Sequence, residues 1–417
     1  MLTKSVNLLK FNFTMPNLLC VVWTLFCVNI FVDEETAYYD VAFYCVIGLV
    51  CFATLVKFIN KKHFTQYESH ILKAFIILFF LQTLGLLNLF TLFSLRTIAT
   101  SICVFCFIDA ISTKVRTVQP FYFRLPFYLV LGYVTSKSFT GLTGANTTPG
   151  CMVFMSLSYL LIEHYSKLNK PNITLKNLSL ITLIRDITIL ILTALICYNS
   201  AARTALFVLI GSLLFFVVLL ITPKDYFATH KIRTIFWVTI GILFLLMYLF
   251  INLRSFSWYN DINLYSLLYF GKNLDSSRGY IWSYSYDSLS FWQVLIGAGT
   301  GTLPDIEGRY VESSFHNSYF QLFMQNGLLG LSCLIFVLWT MWKSVTVGTF
   351  DTVQKFILAI FICVIIYNCF EATLLQNKTF LGVIQWFALS IGVIRTQWIS
   401  NQKNNCFGKN SCRKILD

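Results

Sequence analysis

Three short stretches hold most of the side chains that could do chemistry. "YNSAARTALF" sets Arg203 at the head of an apolar run, "DSSRGYIW" carries Arg278, and "ESSFHNSYFQ" places Glu312, His316 and Asn317 just ahead of another apolar run. A guanidinium offers a planar fork of donors that matches phosphate oxygens, and it keeps its charge at any physiological pH. An imidazole titrates near neutrality and can take the proton of a sugar hydroxyl. A phosphate held as leaving group and a base beside an incoming hydroxyl are the parts that glycosyl transfer needs. Glu371, in "NCFEATLL", is an isolated carboxylate that the same span pattern puts near the same plane, and Arg185-Asp186 is a charge pair inside an apolar run. Each residue also has a plainer reading. Arg203 suits a snorkelling position at a membrane interface, Arg278 a solvated loop charge and His316 an interfacial helix start. Arg309 and Glu312 suit a polar rim, and Arg185-Asp186 a structural pair.

The elements that must position these groups are membrane spans. The chain has 417 residues, 57% hydrophobic and only 12% charged, with 41 Phe and 21 Tyr. Soluble domains carry about 25% charged residues. A bilayer core takes about 20 apolar residues per helix. The apolar runs predict twelve spans, near 15–32, 39–57, 72–90, 96–113, 121–136, 150–166, 177–198, 203–222, 233–252, 316–342, 354–373 and 379–398. The tenth is expected to start with a bent or interfacial piece, because Gly327 and Gly330 interrupt it. With a cytoplasmic N-terminus, all but nine of the 31 Lys and Arg fall on the cytoplasmic side; the nine are Arg96, Lys137, Arg185, Arg203, Arg254, Lys272, Arg278, Arg309 and Lys378. This is the positive-inside bias, with both ends inside. The chain is therefore expected to be all-α, one polytopic membrane domain over residues 1–417. It has one large non-cytoplasmic loop, 253–315, and a basic cytoplasmic tail, 400–417. The loop is rich in aromatic residues, which predicts short amphipathic helices on the membrane face or folded over the spans. This topology puts Arg203, Arg278 and His316 at the outer interface. The first apolar run lacks a cleavage-site pattern and is expected to stay as a span.

Several chemistries are not supported. There is no D-x-D pair for a metal-bridged nucleotide sugar, no G-x-x-x-x-G-K-[ST] loop and no G-x-S-x-G elbow. "GAGTG", 297–301, reads as a flexible turn in the outer loop. The 13 cysteines are scattered through apolar runs, and Cys103-x-x-Cys106 has no second pair, so no metal site is expected. The net charge of +13 sits in short loops rather than on one patch, which argues against nucleic acid as a partner. A transporter is the alternative from another class: it would more often show repeated halves and short outer loops, whereas the chain has one long outer loop and no visible repeat.

Three stretches, "SAARTALFVLIGSLLFF", "SSRGYIWSYSYDSLSFWQVLIGAGTG" and "FHNSYFQLFMQNGLLGLSCLIF", resemble the O-antigen polymerase and O-antigen ligase superfamily of bacterial envelope enzymes. The similarity covers about residues 195 to 345. It rests on an Arg-Thr-Ala span start, a large loop with R-x-x-x-W and a later G-x-G, and an H-N pair before a helix with G-x-x-G. The resemblance implies a GT-C-like, inverting, metal-independent transferase of the bacterial inner membrane that needs no cofactor. Its site faces the periplasm, with both termini cytoplasmic. The donor would be undecaprenyl-diphosphate-linked oligosaccharide, and the partners membrane lipid and a chain-length regulator protein. Carried onto this sequence, Arg203 and Arg278 would hold the pyrophosphate, and His316 would orient or deprotonate the acceptor hydroxyl. Asn317 would fix that segment, with Arg309 and Glu371 as further substrate-binding positions. An aromatic residue two positions after Asn317 favours the polymerase over the ligase.

Overall fold

The computed structural model describes residues 15–31, 45, 48, 51, 66–88, 91–112, 121–141, 147–167, 180–222, 229–270, 273–274, 278–306, 309–310, 314–346, 350–375 and 380–393. In chain order the helices are α1 (Met15–Phe31), α2 (Gln66–Asn88), α3 (Leu92–Ser112), α4 (Phe121–Phe139), α5 (Thr147–Lys167), α6 (Leu180–Asn199), α7 (Arg203–Ile221) and α8 (Thr229–Ile251). Three short helices follow, α9 (Tyr259–Phe270), α10 (Arg278–Asp287) and α11 (Phe291–Ile296). Then come α12 (Ser318–Val345), α13 (Thr352–Tyr367) and the apolar helix α14 (Phe380–Val393). Among the described residues the fold is all-α apart from one antiparallel pair of two-residue strands, β1 (Asp305–Ile306) and β2 (Arg309–Tyr310).

Eleven of the twelve expected spans coincide with described helices. The one near 39–57 falls mostly outside the described residues, and the tail 400–417 lies wholly outside them. Among the described residues, five helical stretches are long and apolar enough to cross a bilayer: Ser69–Asn88, Leu180–Asn199, Arg203–Ile221, Lys231–Ile251 and Ser318–Val345. Shorter apolar helices stand beside them, such as Thr352–Tyr367 and Phe380–Val393. This is the architecture of a polytopic membrane protein.

Burial ranks the helices. The α12 stretch is 67% buried, whereas the α8 stretch is 22% buried and shows Val238, Ile242 and Leu245 outward. An apolar side chain costs nothing against lipid tails, so peripheral helices can stay apolar all round. The central helix can instead carry buried amides, and Asn317, Gln321, Gln325 and Asn326 on α12 or at its cap are all inaccessible. At its far end Trp342 Nε1 donates to Ile232 O at 3.2 Å, tying α12 to α8.

The expected bend in the tenth span is present. Gly327 breaks the helical geometry of α12 with φ 64° and ψ −167°. A Cβ at Gly327 would sit 2.2 Å from Leu295 O, and one at Gly297 (φ 91°) 2.2 Å from Gln325 O. Neither side chain could exist without moving backbone, and both φ values lie where L-residues are strained. This close approach corrects the reading of "GAGTG" as a flexible turn. Gly297, Gly299, Thr300 and Gly301 are buried. Ala298 N donates to Met324 O at 2.8 Å, and Thr300 Oγ1 donates to Gln82 O at 2.8 Å. Ser94 Oγ donates to Thr300 O, and Asn326 Nδ2 reaches Thr300 Oγ1 at 3.3 Å. The loop is a packed plug between α2, α3 and the α12 bend.

Candidate active site

The last turn of α6 passes into α7 through Ala201, which adopts φ 50°. Ala202 N donates to Cys197 O at 2.9 Å and Arg203 N to Ala201 O at 3.0 Å, so Arg203 opens α7. No side chain caps this helix start. Its unsatisfied N–H groups add partial positive charge beside the guanidinium.

Arg278 opens α10, whose buried face includes Gly279, Ile281, Trp282 and Ser285. Its Nη2 lies 3.5 Å from Glu371 Oε1, with side-chain exposures of 15% and 5%. Burial pushes the Arg278 guanidinium below its usual pKa. Glu371 and Tyr367 oppose that shift, and the nearby positive charge of Arg203 adds to it. The two arginines therefore sit close enough to feel each other, and among the described residues Glu371 is the carboxylate that faces them. Such a cluster favours an added anion.

Four residues along α10 from Arg278, Trp282 donates its indole N–H to Phe315 O at 2.7 Å. Its ring stacks on Phe320 at 5.6 Å between centroids and packs against Phe250. This bond holds the peptide just before His316. His316 takes φ 53°, a left-handed conformation uncommon for a residue with a Cβ, and its N–H donates to Ser314 Oγ at 3.2 Å. Backbone strain of this kind persists where surrounding structure over-determines it.

Here the surroundings do so. The Asn317 carboxamide oxygen accepts from Tyr319 N and Phe320 N, both at 2.9 Å, which is a standard N-cap. Ser318 N donates to Asn368 O at 2.9 Å, and Ser318 Oγ donates towards Asn368 Oδ1 (2.7 Å) and Glu371 O (3.1 Å). The same oxygen accepts from Thr373 N at 2.9 Å. Asn368 is fastened in turn by Gln385 Oε1 at 2.7 Å, and Trp386 Nε1 donates to Leu374 O at 2.8 Å. The 368–374 turn that presents Glu371 and the 315–318 turn that presents His316 are thus one hydrogen-bonded unit, braced by α14.

The structure brings Arg203, Arg278 and Glu371 into one electrostatic cluster. It ties the His316-Asn317 turn to that cluster through Trp282 on one side and Ser318 on the other. For Arg309 only the backbone is described, paired with Ile306; Glu312 lies outside the described residues. Sequence reasoning missed Ser318, Asn368, Thr373 and Gln385. They are common residue types with no local pattern, and only the contact across 50 positions makes them a group. Tyr319, the aromatic residue two after Asn317, is buried and donates to Ile365 O at 3.1 Å. That bond holds the start of α12 against α13.

Arg185-Asp186 belongs elsewhere. Arg185 Nη2 pairs with Asp186 Oδ1 at 2.6 Å and Nη1 with Glu163 Oε1 at 2.9 Å. Arg124 grips Glu163 through two bonds, at 2.5 and 3.0 Å, and His164 Nε2 lies 2.8 Å from Asp186 Oδ2. This network joins α4, α5 and α6 about 20 Å along α6 from the Arg203 turn.

Residues 188–335 match a family model described as O-antigen ligase. The matched segment contains Arg203, Arg278, His316 and Asn317, and it supports the O-antigen polymerase and ligase superfamily, whose members are membrane glycosyltransferase-like enzymes. No curated protein matches the chain.

Proposed function

From the match of residues 188–335 to the O-antigen ligase family model, which supports the O-antigen polymerase and ligase superfamily, we propose that this protein is an O-antigen polymerase. It joins lipid-linked repeat units at the periplasmic face of the inner membrane, on a GT-C-like scaffold of about twelve spans with both termini cytoplasmic. The observation that carries the reading is the junction of three distant sequence segments. Arg278 meets Glu371 at 3.5 Å, and Glu371 O and Phe315 O are both engaged by residues that fix the His316 turn.

In this reading the diphosphate of an undecaprenyl-linked glycan lies between Arg203 and Arg278. His316 accepts the proton of the acceptor hydroxyl as its oxygen bonds to the anomeric carbon. The bond from that carbon to the diphosphate oxygen breaks, and its electron pair leaves with the diphosphate. Attack from the opposite face inverts the anomeric centre. The arginines act where negative charge grows, the electrostatic contribution that usually dominates such transfers. Glu371 holds Arg278 in place before the anion arrives. Asn317 keeps the turn at the helix start. No step requires a metal, and a chain-length regulator would act on the same face.

Arg203→Ala, Arg278→Ala and His316→Ala are each expected to abolish chain lengthening at unchanged protein level. Lipopolysaccharide from each variant should show core plus a single repeat unit on a gel. A full ladder in all three variants would refute the site. The matched family model carries the description ligase, which keeps transfer to lipid A core as the second reading. Core with no repeat at all would select it.

A further inference from the structure

Helix α9 is built inside out for a helix in water. Tyr259 and Ser266 are buried and Asn263 is half-buried, and their i, i+4, i+7 spacing puts them on one face, turned into the protein. The Asn263 side-chain oxygen accepts from Leu274 N at 2.8 Å. Outside that face, Ile262, Leu264, Tyr265, Leu267 and Leu268 are all exposed, Leu268 at 71% against 8% for Ser266. A helix on a soluble loop turns its leucines inward and its serines and asparagines out. Apolar side chains scattered singly over a surface call for no cover, but a contiguous set on one helix does. The exposed polar residues, Asn260 and Asp261, sit in the first turn, where a carboxylate complements the helix dipole.

What covers this surface follows from where the helix starts. α8 shows Val238, Ile242, Leu245 and Tyr248 outward, the face of a span against lipid. It ends at Ile251, and one 3-10 turn, Leu253–Ser255, leads within a few residues to α9. The two exposed apolar surfaces therefore meet at one end of one span. In the link Phe256 and Trp258 stack at 5.3 Å between centroids, and Trp258 is exposed. The far side of the loop repeats the pattern. Phe291 and Trp292 on α11 are strongly exposed, although that helix leads straight into the plug that Thr300 ties to the last two turns of α2. Leu84 and Leu87, at that end of α2, are exposed as well. On the topology proposed above, these ends of α2 and α8 lie on the same side of the bilayer. Exposed Trp and Tyr beside span ends are the make-up of the membrane–water boundary, where a ring meets lipid on one edge and water on the other.

We propose that the 253–315 loop enters the membrane surface at two points: α9 and the start of α11 bury their outward side chains among the acyl chains of the outer leaflet. With 12 residues α9 is too short to span, so it lies in the boundary, where such helices sink by roughly 5–10 Å. Its first turn, with Asn260 and Asp261, stays nearer water than Leu268. α10 hangs between the two anchors, and its first residue, Arg278, is held at the depth of the lipid head groups, where a lipid-linked diphosphate lies. That consequence rests on the transfer reading above; the insertion itself does not.

The test is hydroxyl-radical footprinting of the full wild-type chain, one molecule per nanodisc of phosphatidylethanolamine and phosphatidylglycerol. Tyr265, Phe291 and Trp292 are side chains that the radical labels readily when water reaches them. Each is expected to lose most of its labelling relative to the same residue in the unfolded chain, as Tyr248 on α8 should. With one purified chain per disc, neither a second copy nor another protein can give that protection. Labelling at the unfolded level on either helix would overturn the two-point insertion. Protection seen only in discs that hold two chains would give the face to a second copy and overturn it as well. The service to transfer is tested apart. Leu264→Glu combined with Leu268→Glu should uncover Tyr265 and cut chain lengthening at unchanged protein level; an uncovered Tyr265 with a full ladder would overturn the anchoring of Arg278. A full lipopolysaccharide ladder in Arg203→Ala and Arg278→Ala would instead overturn the transfer site and leave the footprint standing.

Discussion

Glu371→Gln separates the two jobs of the buried carboxylate. In the resting protein Glu371 faces Arg278 at 3.5 Å with both side chains largely withdrawn from solvent. At an effective dielectric of about 20, that separation corresponds to a gross attraction of about 5 kcal/mol. Desolvation of both ions offsets much of it. Removing one partner from such a pair nevertheless costs about 3–5 kcal/mol, because the other charge is left uncompensated. The low end is expected, since Arg278 keeps some exposure and Tyr367 stays nearby. The variant should therefore melt earlier than the wild type in detergent. It should also bind anions more tightly, because a diphosphate no longer meets a carboxylate between the arginines. Inorganic pyrophosphate at about a hundred times its Kd would stabilise the folded state by about 2.7 kcal/mol and recover most of the loss. The assay is thermal unfolding of both proteins with and without pyrophosphate. If Glu371→Gln melts with the wild type, or gains no more from pyrophosphate than the wild type does, the charge cluster is not an anion site.

Other perturbations test the supports. Trp282→Phe keeps the ring stack on Phe320 but leaves Phe315 O without its 2.7 Å donor. It should cost about 1–3 kcal/mol of folding stability and lower transfer up to about a hundredfold, because a small misplacement of His316 suffices for that; unchanged transfer in membranes would show that the indole does not position the turn. Gly327→Ala should sharply reduce folded protein in membranes, since its Cβ would lie 2.2 Å from Leu295 O; normal yield and melting would contradict the tight plug. Glu163→Gln strips the shared anion from Arg124 and Arg185 and should destabilise the bundle by about 3 kcal/mol while sparing the chemistry of any protein that remains folded. Loss of activity per folded molecule would tie that network to the reaction.

Much of the molecule was readable from the chain alone. Eleven apolar runs matched described helices because each carries its own backbone hydrogen bonds, and apolar length is what a bilayer selects. The bend at Gly327 was visible as a glycine in a span. Arg203, Arg278 and His316 stood out because ionisable groups beside long apolar runs are rare. Glu371 was only an isolated carboxylate until its turn proved to be bonded to Ser318. The role of "GAGTG" could not be read, because its burial depends on Gln82 and Ser94, about 200 positions earlier.

Local composition determined which segments are helices and which residues carry charge, since propensity and hydropathy are properties of neighbouring residues. Only the tertiary structure decided which charge faces which. Trp282 meeting Phe315, Ser318 meeting the 368–374 turn and Arg278 meeting Glu371 are contacts between segments that no short-range rule couples. Their geometry follows from how the helices pack, and that packing is fixed by the shape of whole buried surfaces, with α12 at the centre.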